Sequence, residues 1–123
     1  MPRMARVFVT GMGVVSSLGF GRKPFWEALV AGRSGATELS LFDTAGFDRH
    51  FACEVRGFRP RDFLTAAEAH RTGRCSAMTV AAARMAVEDA AIGPEYLAGE
   101  RTAVVVGTTM GEANMLGELE AAW

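Results

Sequence analysis

Arg6-Val-Phe-Val-Thr-Gly-Met-Gly-Val-Val-Ser-Ser-Leu-Gly19 is an apolar, β-branched run that breaks into a glycine turn. The same pattern returns in Thr102-Ala-Val-Val-Val-Gly-Thr-Thr-Met-Gly-Glu112. Short apolar runs bounded by turn signals read as buried strands. A glycine after such a strand lets backbone approach a second backbone, or a ligand, more closely than a Cβ permits. Val7–Thr10 and Thr102–Val106 are therefore predicted as strands covered on both faces.

Between them the sequence predicts mostly helices and loops. Pro24 opens a helical stretch, Phe25–Ala31, that Gly32 stops, with Phe25, Ala28 and Leu29 on one face. Residues 33–50 carry no sustained period and are predicted as loop, and the alternation Phe51–Val55 predicts a weak strand. Residues 58–74 form a polar connection, with one helical turn around Ala66–Ala69. Ser76–Ile92 is the clearest helix. Met78, Ala81, Ala82, Met85 and Ala86 recur at helical spacing, and Gly93-Pro94 supplies the stop. So small a face implies very close packing on a neighbour. A last helix is predicted to start at Glu112 and run to Trp123. The order β-α-β-α-β-α argues for an α/β layer fold in a single domain.

Composition removes several function classes. Half of the 123 residues are hydrophobic and 22% are charged, which argues against disorder. The net charge of -1 gives no global field for nucleic acid or an anionic membrane. No run approaches the roughly 20 apolar residues of a membrane span. The stretch after Met1–Arg6 is broken by Thr10, Gly11 and Gly13, which argues against a signal peptide. Cys53 and Cys75, far apart, suggest neither a disulfide framework nor a metal cluster, so a reducing cytoplasm is the expected setting.

The motifs that carry chemistry fail in specific ways. Gly11-x-Gly13 after a strand invites a dinucleotide fingerprint, but Ser16 stands where the third glycine belongs. The acid expected roughly twenty residues on has no strand to end. No phosphate-binding Gly-x-x-x-x-Gly-Lys loop exists. Cys75 follows His70, a conceivable nucleophile–base pair, yet no glycine elbow exposes it and packing at the helix start is the stronger reading. Cys53 reads as a small buried hydrophobe. His50, Cys53, His70 and Cys75 match no zinc spacing. Gly107-Thr-Thr-Met-Gly111 is more promising, because α/β folds place ligand loops after buried strands. A plain strand-to-helix turn explains the same pattern.

Taken together, these segments resemble the N-terminal part of a β-ketoacyl-acyl-carrier-protein synthase of the type II, elongating kind. Val9–Gly19 resembles that family's opening strand and turn, and Phe25–Gly35 is similar to the helix and turn that follow. Phe42-Asp43 and Ala52–Val55 sit where the family has its Phe-Asp pair and next strand. Ala81–Ala91 resembles its alanine-rich helix, and Val104–Glu112 the strand and glycine turn after it. The match covers essentially the whole chain.

The resemblance implies a thiolase-like α/β fold, of which residues 1–123 would be part of the first half. It implies acyl transfer from a carrier protein to a cysteine thiolate, then decarboxylative Claisen condensation with a malonyl-carrier protein. The thiolate is the nucleophile, and two histidines stabilise the developing charge. The family's nucleophile elbow and histidines lie downstream of this segment. Cys53, Cys75, His50 and His70 match none of them, so no catalytic residue, metal ligand or cofactor is expected here.

Carried over by position, Gly107, Thr109, Met110 and Gly111 shape a turn beside the acyl pocket, with Met110 lining it near the dimer interface. Arg71 and Arg74 match part of a basic segment that meets the acidic acyl carrier protein. Here Thr72-Gly73 replaces the family's Met-Asp between them, Cys75 stands at the expected aromatic, and Ala67 and His70 thin the basic cluster. The implied partners are acyl- and malonyl-carrier protein and a second ketosynthase chain, as homodimer or complementing subunit. Nucleic acid and membrane are not expected partners. A non-catalytic, chain-length-determining subunit of a heterodimeric synthase shares the same N-terminal pattern and is the competing expectation.

Overall fold

The computed structural model describes residues 6–113. The predicted helix from Glu112 to Trp123 lies, from residue 114 on, outside the described residues. Within them the chain is mixed α/β. It has a hairpin of β1 (Val15–Ser16) and β2 (Gly19–Phe20), then α1 (Arg22–Val30), β3 (Thr37–Glu38) and β4 (Phe51–Ala52). A 3₁₀ turn (Pro60–Asp62), α2 (Ala66–Arg71), α3 (Arg74–Ala90) and α4 (Pro94–Leu97) follow. Both sheets are two-stranded and antiparallel, with Val15 opposite Phe20 in one and Thr37 opposite Ala52 in the other.

The two strands predicted from the apolar runs are not formed. Val7–Thr10 and Thr102–Val106 have no ladder partner among the described residues, and Val7 and Val105 are 91% and 92% exposed. A strand exists only as a pair, so an apolar run with no neighbour has nowhere to place its backbone hydrogen bonds. Pairing begins instead at the Ser16–Gly19 turn. There the Ser16 hydroxyl donates to the Gly19 carbonyl at 3.1 Å and accepts from the Leu18 N–H at 3.2 Å. Gly19 takes φ 137°, a conformation closed to other residues. The region predicted as loop contributes β3, whose two residues are too few for any period to show. Of the predicted strand Phe51–Val55 only Phe51–Ala52 pairs.

The helices follow the sequence more closely. Gly32, at φ 64°, terminates α1 as expected. The predicted single turn around Ala66–Ala69 is a six-residue helix. Its start is fixed by a capping box: the Thr65 hydroxyl accepts from the Glu68 N–H, and the Glu68 carboxylate accepts from the Thr65 N–H. Helix α3 starts earlier than predicted, at Arg74, and ends at Ala91, which adopts the left-handed conformation at φ 51°.

Helix α3 organises the rest. Ala77 and Ala81, both 0% exposed, join Phe58 and Leu64 in the core, with Val15, Phe20, Phe63 and Met78 packed around them. Phe58 meets Phe20 edge-on at 6.0 Å between centroids and stacks on Phe63 at 5.8 Å. On a second face of α3, Ala82, Ala86 and Ala90 receive the Gly11–Gly13 segment. A Cβ on Gly13 would overlap the Ala82 carbonyl oxygen and stand 2.8 Å from the Ala86 nitrogen. One on Gly11 would stand 2.7 Å from the Ala90 Cβ. Asp89 completes this contact by accepting from the Met12 N–H at 3.1 Å and pairing with Arg22 at 2.9 Å. The glycines that suggested a nucleotide turn are spent on backbone-to-helix packing.

One acid is buried. Glu54 accepts from Ser40 at 2.8 Å and from Arg56 at 2.7 Å. Its carboxyl is held below the usual carboxylate value, chiefly by the Arg56 hydrogen bond and against the opposing effect of burial. The Arg56 guanidinium also donates to the Glu38 carbonyl, tying the β3 and β4 region together.

Candidate functional site

A cleft of about 570 Å3 opens between the Gly13–Val15 segment, the first turns of α3 and Gly111–Ala113. That volume lies in the range of small-molecule sites. Val14, Val15, Met78 and Ala82 give it apolar walls, and Thr79, Cys75 and Glu112 bring polar atoms to it. The Thr79 hydroxyl is turned back on the helix, donating to the Cys75 carbonyl at 3.0 Å.

Glu112 closes one side. Gly73, the residue before helix α3, has no side chain to cap the free N–H groups of the first turn. The Glu112 carboxylate takes that role from far along the chain. Its Oε2 accepts from the Cys75 N–H at 3.2 Å and its Oε1 from the Ser76 N–H. A carboxylate is favoured at a helix N-terminus by both hydrogen bonding and the helix dipole. The Glu112 carboxyl is accordingly held below its ordinary value, first by the Ser76 N–H, with desolvation opposing. A lowered folded-state pKa means that the contact holds fully above the ordinary carboxylate range. It is lost as pH falls through the lowered value.

The predicted pocket turn reaches this cleft only at its end. Gly111, at φ 57°, lines the cleft, and its N–H donates to the Thr108 hydroxyl at 2.9 Å. Gly107 and Thr109 are exposed and Met110 is 73% exposed, so the structure does not bring these three to the cleft. The predicted carrier-contact residues separate by environment. Arg71 is exposed at the end of α2. Arg74 is half-buried, donating to the Val55 carbonyl at 2.6 Å with its guanidinium 5.8 Å from the Phe58 ring centroid.

The remaining reactive side chains lie apart. Cys75 is half-buried in the cleft wall; Cys53, predicted as buried, is exposed on the residue after β4, where the short ladder leaves it uncovered. The His50 ring pairs with the Thr44 hydroxyl at 2.9 Å, and His70 lies in a separate cleft over Phe58 and Pro60. Among the described residues no group of three His, Cys, Asp or Glu is placed to hold a metal ion. No helix among them is long and apolar enough to cross a membrane. Glu112 is the site residue that reading the sequence passed over. A contact between residues 75 and 112 leaves no local pattern; the only trace is a long helix beginning on glycine.

Known proteins resemble this chain over nearly its whole length. Residues 4–122 match the family model for the β-ketoacyl synthase N-terminal domain. A 3-oxoacyl-[acyl-carrier-protein] synthase 2 of Coxiella burnetii is 35% identical over 106 residues, covering 86% of this chain and 26% of its own. One from Staphylococcus aureus is 32% identical over 111 residues, covering 90% of this chain and 27% of its own. Among solved structures, the ishigamide ketosynthase/chain length factor superposes with a TM-score of 0.80 at 46% identity, over 93% of this chain and 29% of that one. The chain thus spans little more than a quarter of the length of these relatives. The packing of an alanine face on a Gly-x-Gly segment, the turn at Gly111 and the match over residues 4–122 lead to one assignment: the chain belongs to the β-ketoacyl synthase family, within its N-terminal domain.

Proposed function

We propose that residues 1–123 are the N-terminal part of a condensing enzyme that joins an acyl thioester to a malonyl group held on acyl carrier protein. The observation that carries this reading is the family match over residues 4–122. The apolar cleft that the end of the Gly107–Gly111 turn reaches suits the acyl chain, with Val14, Val15, Met78 and Ala82 as its walls. The bare apolar runs at Val7–Val9 and Val104–Val106 suit segments that the rest of a thiolase-like fold covers.

In that reaction a cysteine thiolate takes the acyl group from the carrier thioester and releases the carrier thiol. Decarboxylation of the malonyl group then gives an enolate that attacks the acyl-enzyme, releasing carbon dioxide and the thiolate. Donors aimed at the developing oxyanion lower the barrier. This segment contributes walls and scaffold; the thiolate and histidines come from another part of the protein or from a partner chain. Arg71 is the exposed cation offered to an acidic carrier protein. Arg74 is engaged with the Val55 carbonyl and the Phe58 ring and is not offered in the same way.

A second reading has its own support. The relative at 46% identity is a ketosynthase/chain length factor, whereas the 3-oxoacyl synthases stand at 32–35%. On that reading the chain belongs to the subunit that limits chain length without condensing. The full-length protein incubated with acyl- and malonyl-carrier protein separates the two. Carbon dioxide release and an extended β-ketoacyl product from the protein alone establish the condensing reading. Product formed only after a catalytic partner is added establishes the second. No product in either arrangement rejects both.

A further inference from the structure

We infer that Glu112 is a specificity-positioning residue: its carboxylate pins the glycine turn to the start of α3 and so sets the width of the cleft between them. The inference rests on the acyl-cleft reading above and deepens it.

Three observations support it. First, the turn has little else to hold it. Among the described residues, the hydrogen bonds that join 103–113 to the rest of the chain are the two that Glu112 accepts from Cys75 and Ser76. The Gly111–Thr108 bond is internal to the turn. Gly107 has nothing within 4 Å of where a Cβ would stand, and Val104–Val106 are exposed. Second, the helix is shaped to receive the acid. A Cβ on Gly73 would overlap Glu112 Oε2 and stand 2.8 Å from Oε1. Gly73 itself has φ -66° and ψ 166°, which any residue adopts. Glycine here leaves room for the carboxylate and is not called for by the backbone conformation; a Cβ would push the Glu112 carboxylate out of this seat. Third, the latch and the cleft share residues. Cys75 and Glu112 both line the cleft, together with Val14 and Met78. A change in the Glu112–Cys75 separation is a change in the space an acyl chain would occupy.

The test uses the full-length protein, with its catalytic partner if it needs one, and two substitutions that attack the latch from opposite sides. Glu112→Gln removes the charge and one acceptor. Gly73→Ala keeps the acid but fills its seat. Hydrogen exchange at the Cys75 and Ser76 amides reports the latch directly, and exchange should quicken in both variants. The ratio of the longest major product to the next shorter one should shift by about threefold or more in both, whatever happens to total turnover. The double variant should shift no further, because both changes break one contact. Unchanged product ratios alongside faster exchange would reduce Glu112 to a helix cap and overturn the inference. So would unchanged exchange. A wild-type protein that yields no chain-extended product in either arrangement removes the acyl reading first, before any substitution is made.

Discussion

Replacing Gly13 by alanine should remove most of the soluble full-length protein, and what survives should melt several degrees lower. The added methyl would occupy the space of the Ala82 carbonyl oxygen and press on the Ala86 nitrogen. Both are backbone atoms in the middle of a 17-residue helix, so no side chain can rotate away. The segment would have to lift off α3. It would then lose the Met12–Asp89 hydrogen bond and the close contact at Gly11 with Ala90. Overpacking of this kind costs about 1–3 kcal/mol when side chains can adjust, and more when backbone must move. Gly46→Ala is the matched control, with nothing within 4 Å of its Cβ position and no positive φ, and should be silent in solubility and melting. If Gly13→Ala melts like Gly46→Ala, the packing role given to the Gly-x-Gly segment is wrong.

The second large effect is expected at Phe58. Its ring is the junction of the core: 7% exposed, edge-on to Phe20, stacked on Phe63, and covered by the Arg74 guanidinium. Phe58→Ala should destabilise the fold by about 3–5 kcal/mol, through lost transfer energy and the cavity left behind. Aromatic geometry adds about 0.5–1.5 kcal/mol per ring pair. The neighbours that could collapse into the gap, Ala77 and Ala81, are too small to fill it. Phe58→Leu should recover most of the loss. Denaturant unfolding of the full-length protein measures both variants; a loss below about 1 kcal/mol for alanine would show that the core is centred elsewhere.

These two sites also show what the sequence made legible. The small residues of α3 were readable because helical spacing is a local property, but the single predicted face is two: Ala81 packs in the core and Ala82 and Ala86 meet the glycines. Their partners were only half readable. Gly11 and Gly13 announced a close approach, but a glycine pair does not say whether backbone or phosphate comes near. Ser16 in place of a third glycine tipped that choice. The capping box at Thr65 and Glu68 was present as a local signature and marks a longer helix than the alanines alone suggested. The strands at Val7–Thr10 and Thr102–Val106 were read from composition, and composition cannot supply a neighbour. Pairing is a property of two segments, and among the described residues only the Val15–Phe20 and Thr37–Ala52 pairs find one.

The candidate site divides the same way. Gly107, Thr109, Met110 and Gly111 came from one motif and one resemblance, yet only Gly111 lines the cleft, while the other three stand exposed. Arg71 and Arg74 looked alike as a basic pair, yet one is exposed on α2 and the other is tied to Val55 and Phe58. The acid that joins turn and helix was invisible, because residues 75 and 112 meet only in three dimensions.

On the function proposed above, residues 1–123 wall the cleft and the nucleophile lies elsewhere. Trapping the acyl-enzyme of the full-length protein, with its partner chain where it has one, and mapping the modified peptide by mass spectrometry tests that claim most directly. The expected result is an acyl group on a cysteine outside residues 1–123, with Cys53 and Cys75 unmodified. An acyl group on Cys53 or Cys75 would contradict it.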